Sequence, residues 1–154
     1  MHKIIPFLWF DNNAEDAIHF YMSVFKNSKI ISINRYGDNA PPGMQGKVLT
    51  AVFELEGQPF MALDGGPQFK FNEAISLFVS CDTQAEVDEL WDKLSAYPEA
   101  EQCGWLKDKY GLSWQIIPKA LGELMSQPDP EKAGRVMNAM LQMKKIDIET
   151  LKQA

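Results

Sequence analysis

Histidine and cysteine are scarce in this chain: His2, His19, Cys81 and Cys103 are all there are, and no CxxC spacing joins the two thiols. So few cysteines exclude a disulfide framework and fit free thiols in a cytoplasmic protein. The shortage also thins out the ligands that zinc or iron prefers. His2 lies near a terminus, and His19 falls on a helical face turned away from the apolar stripe. Positive charge is short as well. Lys and Arg number 15 against 21 Asp and Glu, for a net charge of −6. That balance excludes the basic footprint of a nucleic-acid binder and attraction to an anionic membrane surface. The pairs Lys107/Lys109 and Lys144/Lys145 are short and interleaved with acids, so they read as solvated faces. Long apolar runs are missing too. None approaches the roughly 18 residues of a membrane span. The run over 4–10 ends in Asp11 without a small-residue cleavage site, so it reads as a strand and not a signal peptide.

What remains is ordinary for a globular protein. A chain of 154 residues, 45% hydrophobic and 23% charged, predicts one domain with a real core. After the first strand, Asn12-Asn13-Ala14-Glu15 has capping-box spacing, and Ala14, Ala17, Ile18, Tyr21 and Phe25 recur at helical spacing to about residue 26. Residues 29–36 alternate as a strand, and 37–46, with Pro41-Pro42-Gly43, form a loop. Residues 48–55 and 58–64 form a hairpin joined at Glu56-Gly57. Beyond Gly65-Gly66-Pro67 come a strand over 74–81, a second capping box at Thr83-Gln84-Ala85-Glu86 and a helix marked by Val87, Leu90, Trp91 and Leu94. Residues 103–118, CGWLKDKYGLSWQIIP, read as a strand, a turn at Lys109-Tyr110-Gly111 and a returning strand over 112–117. Trp114 and Gln115 on that return fit either core or a pocket wall. Helices are predicted over 119–125, 130 to about 144, and 147–152.

The two strand–helix units are copies. A shift of 71 residues carries Ile4, Phe7, Asp11, Ala14 and Glu15 onto Ile75, Phe78, Asp82, Ala85 and Glu86, five identities in twelve positions. Two similar modules therefore share the chain. The first has three further strands. The second has two evident ones, with room for a third near 98–102.

A duplicated βαβββ module resembles the vicinal oxygen chelate superfamily, which includes glyoxalase I, bleomycin- and fosfomycin-resistance proteins and extradiol dioxygenases. The match is closer to its PhnB-like branch, carried by WFDNNAEDAIHFY (9–21), DGGPQFKFNEAISLFVSCDTQAEVDELWDKLS (64–95), CGWLKDKYGLSWQIIP (103–118) and AMLQMKKIDIETLKQA (139–154). Relatives of that branch often bear the label 3-demethylubiquinone-9 3-methyltransferase. The resemblance implies an α+β fold in which tandem βαβββ modules (about 3–66 and 72–118) form a curled mixed sheet, followed by a helical tail over 119–154. It further implies helices on the outer face, a ligand on the concave face and homodimeric pairing. Alternation then puts Ile75, Leu77 and Val79 under the helix and Ser76, Phe78 and Ser80 inside. The 71-residue shift adds Ile5, Phe7 and Trp9 to the inner face. Matching alternation adds Phe60, Ala62 and Asp64 on the hairpin return and Ser113, Gln115 and Ile117 on the last strand, leaving Trp114 under a helix.

Metal-dependent members carry His, Glu or Gln at four strand positions. The comparable residues here are Ile4 or Ile5, Met61 or Ala62, Ile75 or Ser76, and Gln115, so no transition metal is expected. Asp64-Gly65-Gly66-Pro67 follows a hairpin strand, and its proline stops a helix from starting, unlike a nucleotide-cofactor turn. It reads as a plain turn between modules, and no cofactor is expected. As for a thiol nucleophile, Cys81 follows the core-facing side of its strand, and Cys103 has no His partner in sequence. Asp64 is the one acid/base candidate, or else it caps the Gly-Gly turn. The tail stripe Val136, Met137, Met140, Leu141 and Met143 fits core or a dimer contact. The expectation is a small-molecule binding protein without a metal. Its pocket would have aromatic walls at Phe7, Trp9, Phe60, Phe78 and Trp105 and polar handles at Asp64, Ser76 and Gln115. The alternative is an enzyme of the glyoxalase or lyase type, or the methyltransferase of the family label.

Overall fold

The computed structural model describes residues 2–154. The chain divides into two compact units, Met1–Lys70 and Phe71–Ala154. Each is a small mixed sheet with a helix on one face.

The first unit runs β1 (Phe7–Phe10), α1 (Ala14–Val24), β2 (Ser28–Arg35), β3 (Val48–Leu55) and β4 (Gln58–Asp64). The sheet order is β1-β4-β3-β2, with β1 parallel to β4 and the other neighbours antiparallel. β1 is shorter than the apolar run predicts, beginning only after Pro6, whose nitrogen has no hydrogen to give a ladder. The β3–β4 hairpin turns at Glu56 and Gly57, both with positive φ (49° and 80°), the conformation a two-residue hairpin loop requires. Ala14, Ala17, Ile18, Tyr21 and Val24 line the buried side of α1. The sheet meets them with Leu8, Phe10, Phe53 and Phe60, the last two stacked 5.5 Å apart.

The first capping box does not form. Asn13 occupies the N-cap without a side-chain bond, and Glu15 turns to Arg35, which binds both of its oxygens at 2.9 and 2.7 Å. The second box does form. Thr83 Oγ1 accepts from the Glu86 amide at 3.2 Å, and Glu86 Oε1 accepts from the Asp82 amide at 2.9 Å.

The second unit runs β5 (Ser76–Cys81), α2 (Gln84–Leu94), a 3₁₀ turn over Pro98–Ala100, β6 (Trp105–Lys107) and β7 (Ser113–Pro118). Its order is β5-β7-β6, with β5 parallel to β7 and β6 antiparallel. The pairing repeats that of the first unit: Phe7 opposite Met61 becomes Phe78 opposite Gln115, 71 residues on for the first partner. The third strand expected near residues 98–102 is absent; a 3₁₀ turn and a single Gln102–Trp105 bridge stand in its place. Ile75, expected under the helix, precedes β5 and is exposed.

Three helices follow: α3 (Lys119–Met125), α4 (Pro130–Leu141) and α5 (Ile148–Gln153). Leu121, Val136, Ile146 and Leu151 form their own buried cluster, with Ile117, Met140 and Met143 packed around it. The methionine stripe of the tail is therefore split. Val136, Met140 and Met143 turn inward, while Met137 and Leu141 stay exposed on α4. The tail is also fastened by main-chain bonds, since the amides of Cys103 and Gly104 donate to the carbonyls of Met143 and Lys144, each at 2.8 Å. Among the described residues no helix is long and apolar enough to cross a membrane.

Candidate functional site

Ladder register decides which side chains share a face, because paired residues on neighbouring strands point the same way. In the first unit Phe7 pairs with Met61 and Trp9 with Leu63. These four lie on the face away from α1, where Phe7 is 47% exposed. Phe60, Ala62 and Asp64 therefore lie on the opposite, helix-covered face and are buried. The alternation applied to β4 was one residue out of phase, so Phe60 and Asp64 are not on the open face.

Asp64 has a structural setting. Only 2% exposed, it accepts the Ala14 amide on Oδ1 at 2.8 Å and the Val48 amide on Oδ2 at 2.9 Å. It thus supplies the cap that Asn13 does not, and ties the start of α1 to the start of β3. A hollow beside it, lined by Asn12, Glu15, Arg35 and Lys47 among others, has its guanidinium already neutralised. The hydrogen bond from Arg35 holds the Glu15 carboxyl below its usual range.

Trp9 is fixed more tightly than its sequence suggests. Its Nε1 donates to the Gly66 carbonyl at 2.9 Å, and Phe69 meets the indole edge-on, with centroids 4.9 Å apart and planes at 80°. A β-carbon on Gly65 would come within 2.3 Å of the indole ring, so only glycine lets the chain lie this close. Sequence reasoning missed Phe69. The available signal was an aromatic residue just after a Gly-Gly-Pro turn.

In the second unit the expected residues do come together. Phe78, Gln115 and Trp105 form one row across β5, β7 and β6, because Phe78 pairs with Gln115 and Gln115 with Trp105. Ser76 shares this face, and its Oγ accepts from Gln115 Nε2 at 2.9 Å. With Nε2 committed, the amide presents Oε1 as an acceptor, and the serine hydroxyl keeps its proton to donate. Phe78 is 61% exposed, while Gln115 and Trp105 are half-buried. The other face carries Leu106, Trp114 and Ile116, all buried on the side of α2. The row therefore combines two aromatic walls with a polar floor.

Among the described residues no three His, Cys, Asp or Glu side chains converge. The four positions compared above with metal-dependent members carry Ile4 or Ile5, Met61 or Ala62, Ile75 or Ser76, and Gln115, and the Gln115 amide donates to the Ser76 hydroxyl. One neutral amide and one hydroxyl do not make a transition-metal donor set.

Cys81 is fully buried, and burial, followed by the nearby Glu86 carboxylate, pushes its thiol from 9.0 up to about 12. Iodoacetamide at pH 8 should therefore label Cys103 and leave Cys81 untouched, which mass spectrometry would read directly. The folded-state value lies above the unfolded one. Stability is thus unaffected by this group below pH 9 and falls as pH rises from 9 toward 12. A Cys81→Ala variant should lose that alkaline decline in urea midpoints measured from pH 8 to 11.

Comparison with known proteins follows the same lines. The profile of a family described as 3-demethylubiquinone-9 3-methyltransferase matches residues 2–117. A PhnB protein of Bacillus cereus bearing the same description is 43% identical, with a TM-score of 0.66 over 76% of this chain and 99% of its own. A Pseudomonas aeruginosa protein is 20% identical, with a TM-score of 0.60 over 77% of this chain and 98% of its own. The fosfomycin resistance protein FosX of Mesorhizobium loti is 10% identical, with a TM-score of 0.51 over 82% of this chain and all of its own. No curated protein matches. The fold is α+β and is that of the vicinal oxygen chelate superfamily. Within it, the chain belongs to the PhnB-like family described as 3-demethylubiquinone-9 3-methyltransferase. The family match stops at Ile117, so α3, α4 and α5 lie beyond it.

Proposed function

We propose that this protein binds a small, partly aromatic molecule on the open face of its second sheet, without a transition metal. The Phe78–Gln115–Trp105 row carries this reading. Strands lie about 4.8 Å apart, so the two aromatic residues stand roughly 10 Å from each other with the amide between them. A flat ring can lie against one aromatic wall while a carbonyl or hydroxyl meets Gln115 and Ser76. The family label would instead require an S-adenosylmethionine site. Its glycine pair is occupied, since Gly65 and Gly66 lie against the Trp9 indole. The apolar side chains left exposed on α4, Met137 and Leu141, fit the companion proposal of a homodimer.

Calorimetric titration with 2-naphthamide tests the binding reading. Phe78→Ala should weaken binding by about tenfold or more, and Gln115→Ala by several-fold, in line with a lost aromatic contact and a lost hydrogen bond. Affinity unchanged by Phe78→Ala would sink the proposal. Binding of S-adenosylmethionine in the same titration would favour the methyltransferase reading, and native mass spectrometry reports subunit number.

A further inference from the structure

The open face of the second sheet carries one more functional group. Lys107 pairs with Ser113, and Ser113 with Ser76, so these three form a second row one pleat repeat from Phe78–Gln115–Trp105. That repeat is two residues, or roughly 7 Å along the strands. Among the described residues of β5, β6 and β7, Lys107 is the cation on this face.

Its charge is matched from the opposite edge of the sheet. Glu73 lies three residues before Ser76 on the β5 edge, whereas Lys107 belongs to the β6 edge, and β7 runs between them. Lys107 Nζ nevertheless lies 2.7 Å from Glu73 Oε1, so the two side chains reach toward each other across the Ser76–Ser113–Lys107 row. Ser113, in the middle of that row, is only 1% exposed. The hydrogen bond from Lys107 holds the Glu73 carboxyl below its ordinary pKa.

This bridge is easily exchanged. Glu73 is 62% exposed and sits in a segment outside any strand, where Ala74 N donates to Asn72 Oδ1 in a local turn. Ion pairs this open contribute little, because water screens them and ordering two long side chains costs entropy. Lys107 is more enclosed, at 28% exposure, and is anchored on a paired strand. An exposed carboxylate on a more enclosed ammonium is an arrangement that another carboxylate can enter by displacement.

We infer that the molecule bound over Gln115 carries an anionic substituent, a carboxylate in its simplest form, and that Lys107 receives it in exchange for Glu73. The inference rests on the binding reading above and narrows it to aromatic acids. Glu73 then acts as an internal competitor that keeps the lysine neutralised until the ligand arrives.

Paired calorimetric titrations with 2-naphthoate and 2-naphthamide, which share one ring system and differ in charge, test it. The unaltered protein should bind naphthoate about tenfold more tightly than naphthamide, the scale of one charge-assisted contact. Lys107→Met should erase that preference, and Lys107→Arg should largely retain it. Glu73→Gln should tighten naphthoate several-fold and leave naphthamide unchanged, which a purely structural ion pair would not do. Equal affinity for both probes in the unaltered protein, or no gain from Glu73→Gln, would overturn the role of Lys107 while leaving the aromatic site standing. Failure of both probes to bind would overturn the aromatic site and this inference together.

Discussion

Asp108→Ala is expected to lower unfolding stability by roughly 3–5 kcal/mol, because a fully buried acceptor serving several donors would be removed at once. The side chain is 0% exposed at the turn between β6 and β7. Oδ1 accepts from the amides of Tyr110 at 2.8 Å and Leu112 at 3.1 Å, and Oδ2 accepts from Trp114 Nε1 at 2.8 Å. The Asp108 carbonyl also accepts from Gly111 N, which has a φ of 89°. Alanine strands an indole N–H and at least one main-chain N–H away from water. Asp108→Asn keeps one oxygen but turns an amide group toward a donor, so it should cost about half as much. Urea unfolding followed by tryptophan fluorescence reads both variants. A loss under about 1 kcal/mol for Asp108→Ala would mean that water replaces the carboxylate. Because this turn sets how β6 faces β7, folded Asp108→Asn should also weaken naphthamide binding, although Asp108 lies on the turn and not in the binding row.

Asp64→Ala should cost about 2–4 kcal/mol by the same physics, with two buried main-chain donors left unpaired. The amide of Ala14 opens α1, and that of Val48 opens β3. Helix starts normally find a cap in their own N-cap residue, and replacing a good cap costs about 1 kcal/mol. Here a strand 50 residues away supplies it, so the substitution removes a tertiary tie along with the cap. Asp64→Asn should fall between the two. Its naphthamide affinity should match that of the unaltered protein once corrected for the folded fraction, because the carboxylate faces α1. A large affinity loss with unchanged stability would instead return Asp64 to the binding site.

Some of this was legible in the sequence for clear physical reasons. The β3–β4 hairpin falls at the expected residues, because Glu-Gly between alternating strands leaves little freedom of register. The β5 and β7 faces also follow alternation, so Ser76, Phe78 and Gln115 meet as expected. β4 did not, because alternation gives the period of a strand but not its phase. The phase is set by the parallel pairing of Phe7 with Met61, a long-range contact that no local pattern contains. The Lys107/Lys109 pair reads as a solvated face, yet the residue between them, Asp108, is fully buried at the turn and Lys107 lies on the open face of the second sheet. Three adjacent charges give no local hint of which one is buried. Phe69 was obscured for a similar reason, since a loop residue after a Gly-Gly-Pro turn has no periodicity to declare its partner.

The bonds from Cys103 and Gly104 to Met143 and Lys144 have a consequence for self-association. The first sheet closes its β3 edge with β2, but the second has no fourth strand beyond β6. Unpaired strand borders template intermolecular pairing and, in exposed form, aggregation. The tail segment supplies carbonyls to the main chain just before that border and seats Ile146 against Gly104, where a β-carbon would meet it at 3.2 Å. The β6 border itself is already engaged from within the unit, since Gln102 exchanges main-chain bonds with Trp105 and the Ala96 amide donates to the Lys107 carbonyl. The tail carbonyls extend that closure by one step, so the Cys103 and Gly104 amides are also taken up within the chain and are not offered to a second copy.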